Sequence, residues 1–265
     1  MNTVLDAQKL NKSYTLGKGN EQPVLRDVDM QIKEGEFISV MGPSGSGKST
    51  LLYNICGMDR PDSGTVLFQN RDIAGLPERE LSRLRLNEMG FIFQQIHLLK
   101  NLSIFDNIIL SGYQARTRSR MEVNRRAEEL MERTGITELA GNDITQASGG
   151  QLQRVGICRA LINEPGILFG DEPTGALNSS ASEEIMALLA EINRAGTTIM
   201  LVTHDIKVAS RTERVLFMMD GRIVAEKRLG AAGAAAEQVT ATAATAAAAK
   251  AREEHLAAWL LEQGF

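Results

Sequence analysis

The sequence predicts an α/β fold, a core of alternating strands and helices that carries a helical insert. Three observations lead there. Short apolar runs alternate with helix-patterned segments along most of the chain. Between about residues 100 and 157 the strand-like runs stop and charged, helix-like sequence takes over. A glycine-rich loop, Gly42-Pro43-Ser44-Gly45-Ser46-Gly47-Lys48-Ser49-Thr50, stands between an apolar run and a helix-like run.

In chain order, residues 3–9 and 24–32 read as strands. In the second, Val28, Met30 and Ile32 alternate with polar residues, which suits a sheet covered on one face. A loop is expected from Leu16 to Gln22, with Tyr14 just before it. Phe37 to Met41 is a buried strand, and the helix after the glycine-rich loop ends near Gly57. Pro61-Asp62-Ser63-Gly64 is a turn, followed by a strand over residues 65–68. Residues 77–88 are helical and 90–93 form a strand that ends on Gln94-Gln95. Met121 to Thr134 is a helix with Ala127, Leu130 and Met131 on one face and Gly135 as its stop. Strand texture returns at 166–170. A helix started by Ser179 and Ser180 follows, with Ile185, Leu188, Leu189 and Ile192 on one stripe. Residues 198–202 make a strand, and Asp220-Gly221 is a hairpin turn between residues 215–219 and 222–225. Residues 230–265 are alanine-rich and helical by propensity, with Leu256, Trp259 and Leu260 as a small apolar stripe. This tail reads as an extension with a docking role of its own or none, and not as catalytic.

Composition narrows the function classes. The chain has 265 residues, 43% hydrophobic and 23% charged, an ordinary globular balance. A net charge of −4 offers no electrostatic case for nucleic acid as a partner. Cys56 and Cys158 sit among apolar neighbours and read as small buried hydrophobes, which fits a reducing, cytoplasmic setting. The first residues lack the basic-then-apolar pattern of a signal peptide, and no run approaches the roughly 20 apolar residues that cross a bilayer. Arg116, Arg118, Arg120, Arg125 and Arg126 form a basic cluster, either a solvated helical face or a docking surface for a partner or anionic lipid.

Chemistry concentrates in three runs. Gly42, Gly47, Lys48 and Ser49 meet the G-x-x-x-x-G-K-S/T spacing in a strand–loop–helix context. Glycines let backbone N–H groups turn toward an anion, and the helix N-terminus adds its positive end. Lys48 can reach β- and γ-phosphates, and the Ser49 hydroxyl can hold Mg²⁺. In Ile167-Leu168-Phe169-Gly170-Asp171-Glu172, an apolar strand ends in two carboxylates. Asp171 is placed for the metal, and Glu172 to orient or deprotonate the attacking water. Ser148-Gly149-Gly150-Gln151 opens helical sequence and makes a second anion-binding helix N-terminus. Two subunits packed head to tail would use both, each closing the other's site.

These runs, in this order, resemble the nucleotide-binding subunits of ATP-binding-cassette (ABC) transporters, over about residues 3–228. The resemblance implies a RecA-like P-loop NTPase core with an antiparallel β subdomain and an inserted helical subdomain. It places the ATPase domain at 1–229, the helical insert at about 95–157 and the extension at 230–265. It implies ATP and Mg²⁺ as ligands. Nucleotide contacts are expected from Tyr14, Gly42, Ser44, Gly45, Ser46, Gly47, Lys48, Ser49 and Thr50, and across a homodimer from Ser148, Gly149, Gly150 and Gln151. Metal contacts are expected from Ser49, Gln94 and Asp171, and catalytic roles for Lys48, Glu172 and His204. Tyr14 matches the aromatic that stacks on adenine; the other reading is a packed strand residue. Two positions depart from the family pattern, Ala147 where the signature loop usually has Leu and Asn178 where the D-loop usually ends in Asp.

Within the family, the motifs resemble the branch of macrolide exporters, lipoprotein-releasing systems and antimicrobial-peptide resistance systems. That implies a peripheral subunit at the cytoplasmic face of the membrane, driving an integral permease that exports or resists peptides or antibiotics. A signalling ATPase, whose permease reports antibiotic flux without bulk transport, is the alternative. Cassette ATPases acting on ribosomes or DNA usually carry paired cassettes, long coiled coils or zinc-binding inserts, and this sequence has none of these.

Overall fold

The computed structural model describes residues 2–17, 19–230 and 244–265. The chain forms two compact units, Met1–Leu76 with Thr198–Phe265, and Pro77–Thr197.

The first unit opens with two long strands, β1 (Thr3–Leu16) and β2 (Asn20–Lys33), paired antiparallel through nearly their whole length. The loop expected from Leu16 to Gln22 is instead the tip of this hairpin, with Leu16 opposite Asn20 and Tyr14 opposite Gln22. Polar composition masked the strand because both faces are solvated there: residues 20–23 of β2 are all exposed. The fully buried β3 (Phe37–Met41) leads into the glycine-rich loop and α1 (Lys48–Ile55). β4 (Ser63–Phe68) and β5 (Arg71–Asp72) complete an antiparallel sheet in the order β2-β1-β4-β5.

The second unit begins with α2 (Glu78–Glu88) and β6 (Met89–Phe93). Three helices follow. α3 spans Ile104–Ala115, α4 Arg120–Thr134 and α5 Gly149–Leu161. Ser119 and Glu122 close a capping box at the start of α4, and Gly135 ends it at φ 66°. β7 (Ile167–Asp171) lies parallel to β6, and α6 (Ser179–Arg194) closes the unit. The cap of α6 is Asn178, one residue before the expected serines; its Oδ1 accepts from the Ala181 N–H at 2.9 Å. The basic cluster is partly neutralised within the unit, with Glu164 and Glu129 facing three of its five arginines. Arg118 and Arg126 pair with Glu164, Arg125 with Glu129, and Arg120 lies over the Tyr113 ring. That favours the solvated-face reading.

Back in the first unit, β8 (Thr198–Val202) runs parallel to β3. The short α7 (Ile206–Ala209) and the hairpin of β9 (Arg214–Met219) and β10 (Arg222–Arg228) follow, with β9 parallel to β3. Asp220 and Gly221 both have positive φ, 47° and 80°, as the tight hairpin turn requires. Parallel and antiparallel strands with helices give the α/β class the sequence predicts. The tail contains α8 (Ala244–Glu262), whose Leu256 and Leu260 are fully buried against Met41, Ala209, Val215 and Phe217. The apolar stripe therefore docks on this chain's own core. Residues 231–243 of the tail lie outside the described residues.

Candidate functional site

In the first unit, the glycine-rich loop leaves the C-terminal end of β3 and enters α1, whose N-cap Gly47 (φ 100°) supplies no side-chain cap. A helix start left open in this way presents N–H groups and a positive dipole end to an anion. The loop has no room for side chains at two points. A Cβ on Gly42 would lie 2.0 Å from the Met218 carbonyl oxygen, and one on Gly47 2.7 Å from that of Val24. The Gly221 N–H donates to the Ser46 carbonyl at 3.1 Å, and the Arg26 N–H to the Gly221 carbonyl at 2.9 Å. The β9–β10 turn thus buttresses the loop. The Asp220-Gly221 pair signals the turn in the sequence, but not this contact.

Two polar groups inside the loop fit a phosphate. The Ser46 hydroxyl is buried and has no hydrogen-bond partner among the described residues, a costly state that an anion would relieve. Lys48 is almost fully buried, and its Nζ donates to the Gly42 and Pro43 carbonyls at 2.9 and 2.8 Å. A phosphate oxygen is a stronger partner for an ammonium than a neutral carbonyl. Ser44 and Gly45 are exposed, and Ser49 and Thr50 half-buried on the first turn of α1.

His204 belongs to the same unit. It is exposed, just past β8, and Val202 pairs with Val40 at the end of β3. The Thr203 N–H donates to the Val40 carbonyl at 3.1 Å, and Asp205 caps α7. Parallel register therefore brings the glycine-rich loop and His204 off the C-terminal ends of adjacent strands, where open α/β sheets bind ligands.

Tyr14 is 40% exposed. Its hydroxyl donates to Asp59 Oδ2 at 2.7 Å, and the Lys12 ammonium sits 5.1 Å from its ring centroid while donating to Asp59 and the Arg60 carbonyl. Partial burial and the Asp59 carboxylate both push the phenol upward. Burial opposes ionisation of Asp59, but the bonds from Tyr14 and Lys12 outweigh it and hold its carboxyl below the usual range. The ring is an exposed aromatic plate held by a polar network at its rim, not a packed core residue.

In the second unit, Phe93 and Asp171 are register partners, so Gln94 and Glu172 extend side by side from parallel strand ends. Glu172 has φ 47°, an unfavourable backbone for a non-glycine residue; such outliers concentrate at functional sites. Its carbonyl accepts from the Gly175 N–H at 3.0 Å, and a Cβ on Gly175 would lie 2.9 Å from Gln94 Nε2. Ser148 caps α5, accepting from the Gln151 N–H, while Gln151 Oε1 accepts from the Ser148 N–H at 2.8 Å. Gly149 and Gly150 pack toward Leu177 and Ala181, so the start of α5 lies against the Asn178 turn.

One helix thus carries Ser148 and also steadies Gln94. The buried Gln153 donates to the Phe93 carbonyl at 3.4 Å, and Arg159 donates to the carbonyls of Ile96 and His97 at 2.6 and 2.9 Å. Sequence reasoning passed over both. The available signal was a charged residue inside the apolar run Ile157-Cys158-Arg159-Ala160-Leu161. His97 packs edge-on against Phe93, as an ordinary structural residue. Gln94, Asp171, Ser49 and the phosphate groups themselves are hard oxygen donors of the kind Mg²⁺ prefers. No cluster of three or more His, Cys, Asp or Glu able to hold a metal occurs among the described residues.

Comparison with known proteins bears on both units. The family described as "ABC transporter" matches residues 25–175. The uncharacterized ABC transporter ATP-binding protein YvrO of Bacillus subtilis is 41% identical over 85% of this chain and 97% of its own length. The macrolide export ATP-binding/permease protein MacB 1/2 of Paracoccus denitrificans and the pyoverdine export ATP-binding/permease protein PvdT of Pseudomonas fluorescens are 43% and 42% identical, and this chain spans about a third of each. Among solved structures, a dimeric post-hydrolysis state of the ATP-binding cassette MJ0796 bound to ADP and Pi shares 39% identity and a TM-score of 0.79, covering 85% of this chain and 98% of that one.

Proposed function

We propose that this chain, which belongs to the ABC transporter family and is an ATPase cassette coupled to transport, works as a homodimer that drives a membrane permease. No helix among the described residues is long and apolar enough to cross a membrane. The reading places the cassette at the cytoplasmic face of the permease, the arrangement that the resemblance to ABC transporter subunits implies. The observation that carries the reading is the open cradle over α1, closed to side chains at Gly42 and Gly47, with Lys48 inside it and a Ser46 hydroxyl that has no partner among the described residues.

In this reading the backbone of residues 42–50 and Lys48 hold the β- and γ-phosphates, and the Tyr14 ring meets the base. Ser148, Gly149, Gly150 and Gln151 of the second subunit complete each site from across the interface. Ser49, Gln94 and Asp171 would hold Mg²⁺, which would neutralise charge on the phosphates. Glu172, held by its strained backbone, orients and deprotonates water; His204 stabilises charge growing on the γ-phosphate. ATP bound between two subunits closes the dimer, and hydrolysis releases it.

The relatives named for macrolide and pyoverdine export are almost equally similar to this chain. A cassette of this kind handles ATP, while cargo is recognised in the membrane part, so cassette similarity tracks the machine and not the cargo. Export of, or resistance to, peptides or antibiotics is the class we assign, on the resemblance of the phosphate-loop and Asp171-Glu172 motifs to that branch and not on the relatives' cargo. Glu172→Gln tests the core of the reading. ATP turnover should fall by about 10²–10⁴ while ATP still binds, the loss expected of a general base. ATP should then convert the variant to a stable dimer on size exclusion; turnover at the parent rate would remove Glu172 from its role.

A further inference from the structure

α8 does more than cover apolar surface. Its buried Leu256 and Leu260 meet Met41, the residue before the glycine-rich loop, and Ala209 in α7, the helix that follows His204. Trp259 packs edge-on against Phe217. Ahead of them on α8 stands Arg252, whose guanidinium donates to four backbone carbonyls, with the Glu213 carboxylate and the Arg211 guanidinium close enough to act on its charge. Nε donates to the Ser210 carbonyl at 2.9 Å and Nη2 to that of Thr212 at 2.9 Å. Nη1 donates to the Leu229 carbonyl at 2.7 Å, and Nη2 also to that of Gly230 at 3.2 Å. Burial lowers its pKa, yet an Arg stays charged in any physiological setting.

Ser210 is the C-cap of α7 and Thr212 lies two residues beyond it. The carbonyls of Ile206, Val208 and Ala209 accept from the N–H groups of Ser210, Arg211 and Thr212, so Arg252 grips the turn that follows the helix, beside the negative end of its dipole. A four-residue helix has little cohesion of its own and depends on its ends being tied. The segment that begins at His204 is tied at its start by Thr203 to Val40 and by the Asp205 cap. At its end the ties are the Arg252 bonds, the Glu213 N–H, which donates to the Phe37 carbonyl at 2.7 Å, and the Thr212 hydroxyl, which lies 3.0 Å from that of Ser39 on β3. The planar fork of an Arg can bridge the carbonyls of Ser210, Thr212 and Leu229 at once, which the single ammonium of a Lys cannot.

We propose that Arg252 is a positioning residue for His204: by fixing the end of α7 it holds the histidine at the mouth of the ATP site. The C-terminal helix is then a working part of the ATPase. This rests on the role assigned to His204 above. It explains why a charged side chain stands at the edge of an apolar docking face, one turn before Leu256.

The test uses the full chain, with steady-state ATP hydrolysis, thermal melting and hydrogen exchange of the amides of 208–212. Arg252→Ala should lower kcat about tenfold with KM for ATP changed less than about twofold, since a small misplacement of a catalytic group costs rate and not ground-state binding. Exchange at those amides should rise about tenfold, and Arg252→Lys should recover part of both losses. Leu260→Ala is the control for simple destabilisation. It should lower the melting temperature as much, yet keep kcat within about twofold at 25 °C, because the carbonyl clamp remains. Parent-like kcat in Arg252→Ala, or kcat falling with melting temperature alike in Arg252→Ala and Leu260→Ala, overturns the proposal. If Arg252→Ala does not fold, Arg252→Lys decides: parent-like kcat and exchange overturn the proposal. His204→Ala separates the two levels. Slow turnover there beside a parent-like Arg252→Ala sinks the positioning role alone, whereas parent-like turnover in His204→Ala sinks the role of the histidine itself.

Discussion

Replacing Leu256 by Ala tests whether the tail helix is part of the folded ATPase unit. Leu256 is 0% exposed and lies in one cluster with Met41, Ala209, Val215, Phe217 and Leu260. Truncation forfeits the transfer of the removed carbons and leaves a cavity, a combined cost of about 2–5 kcal/mol at buried Leu positions. The site cannot collapse easily. Arg252 fixes α8 on one side, and Phe265, 5.9 Å from the Phe217 ring, closes the other. A value of about 3 kcal/mol, near the middle of the range, follows. For a domain of this size that is a fall of about 6–12 °C in melting temperature. Circular dichroism at 222 nm against temperature is sufficient. Leu261, one residue further on, is 73% exposed, and Leu261→Ala should stay within about 0.5 kcal/mol of the parent. Were α8 detached in solution, the two variants would behave alike. A shift below about 2 °C for Leu256→Ala would refute the docking, since even the smallest cavity cost in the range exceeds it.

Three further outcomes follow from the same structure. Glu36 and Arg214 form a two-pronged ion pair at 2.6 and 2.9 Å, with side chains only 13% and 9% exposed. Glu36→Gln should destabilise the chain by about 2–4 kcal/mol in urea unfolding, a little less than complete loss of a buried partner because one acceptor oxygen stays. Cys56 and Cys158 are buried, and burial pushes the Cys158 thiol up to about 11. Both should therefore resist a thiol reagent at pH 8 in the folded chain and react once guanidinium unfolds it; fast labelling of the native protein would contradict the packing. Asp59 titrates below the usual range, so its contribution to stability is present above the unfolded value and is lost as pH falls through the folded one. Tyr14→Phe removes one of the bonds responsible, and an NMR titration should find the Asp59 carboxyl moved upward toward its ordinary value.

The motifs were legible in the sequence because each is a local pattern with a physical reason: glycines where a backbone must fold around an anion, and an apolar strand ending in carboxylates. Strand order could not be read that way. The β1–β2 hairpin tip reads as a loop in the sequence because a ribbon wetted on both faces loses the alternation that marks a strand. The cap of α6 was assigned one residue late because Ser and Asn cap equally well, and only φ and ψ distinguish them. The buttress from Gly221 to Ser46 and the clamps of Arg159 and Arg252 join residues 22 to 175 positions apart through backbone carbonyls, which have no sequence signature.

The departure at Asn178 shows how far a motif comparison reaches on its own. Read as a pattern, replacing the usual Asp removes a charge and suggests weakened communication between two ATP sites. In the structure the side chain has a local duty first: its Oδ1 accepts from the Ala181 N–H and starts α6. Asn performs that duty about as well as Asp, although without the favourable pairing of a carboxylate with the helix dipole. Gly150 packs toward Ala181 on the same turn, so the cap also sets the floor under the Ser148 loop. Asn178→Asp should therefore stabilise α6 slightly, by about 0.3–1 kcal/mol at low salt. Removing the cap with Asn178→Ala should cost about 1 kcal/mol and loosen the Ser148 loop with it. If Asn178→Ala left the melting temperature unchanged but slowed ATP turnover, the residue would act across the dimer and not through its cap.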